Sequence, residues 1–350
     1  MAILGLLGIF QSCQAPAPRS RAISRLGDVR APSQGIADEV ATLVDEFQPR
    51  VLELLPDSRD ENLDVWIQEE PKLYRFLGNT YEEADGFWAE APGRIHLRRD
   101  ADDLKRTLVH ELTHATLGAS WDRLPGTIEE GLCDYVSVTL CPDSAPTMRA
   151  GRLSAASFAI GGLELELTVT DPDEGTTYAA RILLQSGGPI PLDPLDAFKV
   201  RAGLSSTTLE AVDKKAFYGL AYIVVDRIAK RHSLEKLHEL CRRAEREDEE
   251  TIPTEWLLEA AGLDANPKTW RRAIAAALEV PELEQLVLMY PSFVKQALAV
   301  CQRTLPPFQG DAQHGELGLS LSLPGCTSSI QLPSQMVPRI DHQALAAASR

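Results

Sequence analysis

The chain has 350 residues, 44% of them apolar and 25% charged, enough for one large or two small domains with a sizeable core. Its formal net charge is -16, from 51 acidic and 35 basic side chains. That balance repels phosphate backbones and anionic lipid, so it excludes nucleic acid as a main partner. The six cysteines include no C-x-x-C pair, which argues against a structural zinc site built from cysteines.

In chain order, Ala2 to Phe10 is a short apolar run, too short to span a bilayer. It reads as the core of a signal peptide, with Cys13 at the position of a lipidated cysteine. This predicts an exported protein (periplasmic, cell-surface or secreted), with membrane anchoring through a lipid on Cys13 as one form of it. Two features run against that reading: no Lys or Arg precedes the run, and Phe10-Gln-Ser-Cys13 is an imperfect lipidation box. Residues 1–35 then read as leader and linker. Ile36, Val40, Leu43 and Val44 share one face of a predicted helix over 36–55, and residues 63–67 alternate like a strand. A strand pair is predicted over 80–98, with His96 as a structural residue between Ile95 and Leu97.

The chemistry concentrates in Leu108-Val-His-Glu-Leu-Thr-His114 and, sixteen positions after His114, Glu130 within Ile128-Glu-Glu-Gly-Leu-Cys-Asp-Tyr135. Asp100 reads as the N-cap of a helix carrying Leu104, Leu108, Leu112 and Ala115 at helical spacing, closed by Gly118. On that helix His110 and His114 lie one turn apart on one face, so two imidazole nitrogens can address one ion. A hydrolytic zinc site takes three protein ligands and keeps a fourth position for water. Glu130 is the natural third ligand and Glu111 the base. Thr127 and Glu130 also have capping-box spacing, so Glu130 has a second reading as a capping residue, with Glu129 solvated. Asp134 is placed to accept the second ring N–H of a metal-bound histidine.

These residues resemble the gluzincin metallopeptidases, including the thermolysin-like enzymes. Glu130-Gly-Leu-Cys-Asp-Tyr135 looks like the Glu-Gly-x-Ala-acid-Tyr block of a bacterial peptidase-MA-like group. The resemblance implies an α+β fold: a small mixed sheet, an active-site helix and a mainly helical C-terminal half. It also implies one Zn2+ held by His110, His114 and Glu130, Glu111 as general base and Asp134 behind the ligands. Two departures stand out. The gap from His114 to Glu130 is shorter than in thermolysin, and Cys133 replaces a small apolar residue. A metzincin site would need a third histidine where Ser120 stands. Gly86-Phe-Trp88 and Pro92–Leu97 resemble the two strands before the zinc helix, the second as an open edge able to take an extended peptide. Residues 216–225 resemble the helix behind the site, where Tyr218, or else Tyr222, would donate to the oxyanion. Aromatic core packing is the competing reading of either tyrosine.

Residues 143–212 are less regular; 161–169 reads as a strand or a helix, and 191–198 resembles a short segment before the tyrosine helix. Helices are predicted at 214–231, 233–247, 254–261 and 267–278, with His232 and His238 on the surface. A peptidase domain over 36–280 is followed by 281–350, a helix from 291 to 303 and a loose Pro/Gly/Ser-rich tail. The function expected is peptide-bond hydrolysis of a peptide or protein substrate. The alternatives are a catalytically silent zinc-binding interaction module and a non-peptide amide or ester hydrolase.

Overall fold

The computed structural model describes residues 18–60, 62–68, 75–76, 79–80, 85–90, 93–170, 177–184, 211–289, 318–322 and 329–331. The architecture is α+β. Strands β1 (Ser20–Ile23), β2 (Asp28–Ala31), β3 (Asp64–Gln68), β6 (Gly86–Ala89) and β7 (Arg94–Arg98) form a five-stranded mixed sheet in the order β1-β2-β3-β7-β6. β4 (Arg75–Phe76) and β5 (Asn79–Thr80) form a separate pair. β2, β3 and β7 run parallel, while β1 and β6 are antiparallel to their neighbours.

Register explains which sheet face is covered. Val29, Val65 and Ile95 lie in one row, Ile67 and Leu97 in the next but one, and all are fully buried. This apolar face packs under α1 (Gln34–Leu54) and α2 (Leu104–Thr116). α1 supplies Ala37, Val40, Val44, Phe47 and Val51 at three- and four-residue spacing. α2 supplies Leu108 and Leu112, each contributing about 1.5–3 kcal/mol by leaving water. The intervening row is Trp66, His96 and Phe87 on the other face. There Phe87 stacks on His96 at 4.5 Å, and the Arg94 guanidinium lies 3.5 Å from the Trp66 ring centre.

The helical half begins with α3 (Gly126–Leu140) and α4 (Ala145–Ala159) and continues with α5 (Ala211–His232). α6 (Leu234–Arg246), α7 (Thr254–Ala261), α8 (Pro267–Ala277) and α9 (Val280–Met289) complete it. α5 packs against both α3 and α4, and two glycines make the approach possible. A Cβ on Gly131 would lie 2.6 Å from the Ala221 carbonyl carbon, and one on Gly219 would meet the backbone of Arg152. A second sheet, β11-β10-β8-β9, joins β8 (Leu163–Thr170) and β9 (Thr177–Leu184) to β10 (Gly318–Ser322) and β11 (Ser329–Gln331). Among the described residues, no helix is long and apolar enough to cross a membrane.

Several sequence expectations change. Residues 20–31 are not linker but the first two strands of the sheet. Among the described residues the edge strand on this side is β6, not β7, because β7 is hydrogen-bonded on both sides. The cap of α2 is Asp103, whose carboxylate accepts from the Arg106 N–H at 2.9 Å; Asp100 instead pairs with Arg98. Gly118 has φ -92 and starts a 3-10 turn, Ala119–Trp121, rather than closing α2 in the left-handed region. Thr127 lies inside the first turn of α3, with Pro125 at the N-cap, so the capping box does not form. Residues 145–159 are a regular helix, 163–170 is a strand, and part of the tail is sheet. His238 is buried against Trp121, their ring centres 5.0 Å apart, rather than exposed. Cys133, Cys141 and Cys241 are buried free thiols. The expectations for Cys13, residues 191–198 and the 291–303 helix lie outside the described residues.

Candidate metal centre

Two antiparallel-packed helices bring the donors together. α2 carries His110, Glu111 and His114, and α3 carries Glu129, Glu130, Cys133 and Asp134. Residues 117–125 join them, pinned by the Trp121 indole N–H donating to the Pro56 carbonyl at 3.0 Å. The last turn of α2 is held by Arg59, whose backbone N–H donates to the Thr116 carbonyl and whose side chain donates to the Ala115 carbonyl. These bonds satisfy carbonyls that a helix end leaves without partners.

Each histidine is fixed through Nδ1. His110 Nδ1 lies 3.1 Å from Asp134 Oδ1, and His114 Nδ1 lies 2.6 Å from Glu129 Oε1. A carboxylate at Nδ1 holds the proton there and leaves the Nε2 lone pair free. Both Nε2 atoms converge on one oxygen: Glu130 Oε2 is 3.2 Å from His110 Nε2 and 3.5 Å from His114 Nε2. Three acceptors facing one another repel unless a cation sits among them. A tetrahedral zinc with bonds of about 2.0–2.2 Å separates its ligand atoms by roughly 3.3–3.6 Å, and the two distances from Glu130 to the imidazoles lie close to that range.

The electrostatics show the same demand for positive charge. Burial alone would lower the pKa of His110, yet the hydrogen-bonded carboxylates of Asp134 and Glu130 outweigh it and raise the value to about 9. Burial likewise opposes protonation of His114, but Cys133, Glu130 and Glu129 lift it well above its ordinary value. Burial would raise Glu130, and the two histidines instead hold it far below the carboxylate range.

Glu111 is buried, with its carboxylate accepting the Trp88 backbone N–H from edge strand β6. Burial raises its pKa, and the neighbouring histidines only partly offset this. A carboxylate in such a place is a stronger base than one in water. Asp134 is fully buried; burial would raise its pKa, but Arg152 and His110 pull it down. Arg152 donates from Nε to Asp134 Oδ2 at 2.6 Å and from Nη2 to Oδ1 at 3.3 Å. The same guanidinium lies 4.7 Å from the Tyr218 ring centre, linking α3, α4 and α5 behind His110.

The structure thus brings His110, His114, Glu111, Glu130 and Asp134 into one site. Tyr218 is half-buried beside Arg152, with Glu130, Asp134 and His114 within electrostatic reach. Tyr222, one turn on, is 1% exposed and packed inside the helical core, facing Asp226 and Arg149. Two partners are absent from the sequence expectation. Glu129 is not solvated but orients His114, and Arg152 anchors Asp134. For Glu129 the acidic pair itself was a signal; Arg152 had none, because α4 decides where it lands. Cys133 also belongs to the site: one donor atom from each of His110, His114 and Cys133 lies within 4.8 Å of the others. Comparison of the chain with family models, with characterised proteins and with solved structures finds no match.

Proposed function

We propose that this chain is a zinc-dependent hydrolase of peptide bonds, related in mechanism to the gluzincins. The observation that carries the reading is the convergence of His110 Nε2, His114 Nε2 and Glu130 Oε2, with buried Glu111 alongside. His110, His114 and Glu130 would hold the ion. When bound, zinc supplies Lewis acidity and lowers the pKa of its water to about 7.

The chain's own residues do the rest. Asp134 and Glu129 keep the imidazoles in the Nδ1–H tautomer, so both Nε2 lone pairs stay aimed inward. Glu111 takes the proton from the attacking water and returns it to the leaving amine. Its raised pKa matches that shuttle, since a group nearer neutrality both accepts and donates. Edge strand β6 supports the substrate side of the reading. It ends the five-stranded sheet among the described residues, and its Trp88 N–H holds Glu111. A peptide laid along that edge would lie beside the base. Tyr218, rather than the core residue Tyr222, is the proposed donor to the developing oxyanion.

The test is cleavage of an unbiased peptide library by zinc-loaded protein, read by mass spectrometry, beside Glu111→Gln. The expected result is cleavage by the wild type alone, with zinc retained by both. Equal cleavage by the variant would remove Glu111 from the mechanism. No cleavage by either, with one zinc bound, would favour a binding module or a non-peptide substrate.

A further inference from the structure

Cys133 lies three residues after Glu130 and four after Glu129, so all three project from the same side of α3. Its side chain is 0% exposed and hydrogen-bonds His114. The thiol is not packed among aliphatic side chains alone: it completes a His110, His114, Cys133 group whose donor atoms are mutually within 4.8 Å. The sulfur thus stands with one nitrogen of each imidazole, two rings that Asp134 and Glu129 already hold through Nδ1.

We propose that Cys133 is a further protein ligand of the metal ion, so that His110, His114, Glu130 and Cys133 enclose it in the substrate-free protein. The proposal rests on the metal-centre reading above and deepens it. A zinc with four protein donors is closed, whereas a catalytic one keeps an open position. On coordination the S–H bond breaks, its proton goes to solvent, and the sulfur lone pair forms the metal–sulfur bond. Turnover then requires the thiolate to leave and water to take its place, which makes Cys133 a latch on the site. A soft sulfur donor also shifts preference toward thiophilic ions.

The experiment uses the full chain, stripped with chelator and reloaded with one equivalent of cobalt(II). Thiolate ligation gives a sulfur-to-cobalt charge-transfer absorption in the near ultraviolet. The expected result is that band in the wild type, its loss in Cys133→Ser and Cys133→Ala, and its retention in Cys241→Ala. Cadmium affinity should fall at least about tenfold more than zinc affinity in Cys133→Ser. Two variants guard against a folding defect in one, and circular dichroism checks both. Stoichiometric cobalt without the band, or a band that survives in Cys133→Ser, overturns the ligand assignment and leaves the metal centre standing. Failure of the wild type to bind one cobalt overturns both.

Discussion

At the scale of single residues, the candidate site depends on side chains that stand behind the proposed ligands. Arg152 neutralises a fully buried Asp134, and Asp134 in turn holds His110. Replacing Arg152 by Met should leave that carboxylate buried and without its cation, tilting His110. The expected outcome is a 10–100-fold loss of zinc affinity in competition with a chelating dye. Glu129→Ala should do the same through His114, whereas Glu46→Ala, an exposed residue of α1 paired with Arg50, should not. That His110, Glu111 and His114 meet at one place was legible, because residues three and four apart on a helix share a face. The supporting set was only half legible. Glu129 and Glu130 are adjacent, and which of them caps, ligates or orients is decided by how α3 crosses α2, not by local spacing. Glu130 makes no cap because Pro125 moves the helix start forward.

At the scale of elements, close packing around Gly131 sets the position of Glu130. An alanine in a helix interior usually stabilises by up to about 1 kcal/mol over glycine. Here the added methyl meets the Ala221 carbonyl at 2.6–2.7 Å, backbone that cannot swing aside. Gly131→Ala should therefore destabilise by about 1–3 kcal/mol in urea unfolding; a neutral or stabilising result would refute the close approach. The outer face of the sheet yields a pH prediction. Burial, with help from Arg94, lowers the pKa of His96 from 6.5 to about 4. Between those values the unfolded chain binds a proton that the folded chain refuses, so stability falls as pH drops through 6.5 toward 4 and is fully present above 6.5. His96→Gln should flatten that part of the stability–pH curve relative to the wild type, leaving the steeper carboxylate region below it. Most helices were legible from their period. The α4 helix was missed although Ala150, Leu153 and Ala156 carry its buried stripe, because small residues give a weak apolar signal. Residues 20–31 were missed because their short alternation, Val29 and Ala31 inward, sits in a composition that reads as linker.

At the scale of the whole molecule, an ion held by native geometry alone must stabilise the fold. Free zinc at a hundred times its dissociation constant should add about 2.7 kcal/mol, and chelation should lower the melting temperature by an amount on the order of 5 °C. A melting temperature indifferent to zinc and chelator would argue that the histidines are satisfied by protons alone. The α+β class followed from the resemblance carried by residues 108–135, which gave no hint of the second sheet. Its strands β8 and β10 are separated by about 150 positions, and pairing over such a distance leaves no local mark. The candidate metal site has the opposite character. Every proposed ligand and both carboxylates that orient the histidines fall between His110 and Asp134. The loop that an ion would close is short, so its entropic cost is small and can be met before distant strands find each other. Zinc added at the start of refolding should thus capture an α2–α3 hairpin early and speed the approach to the native state, while zinc added at the end should change stability alone.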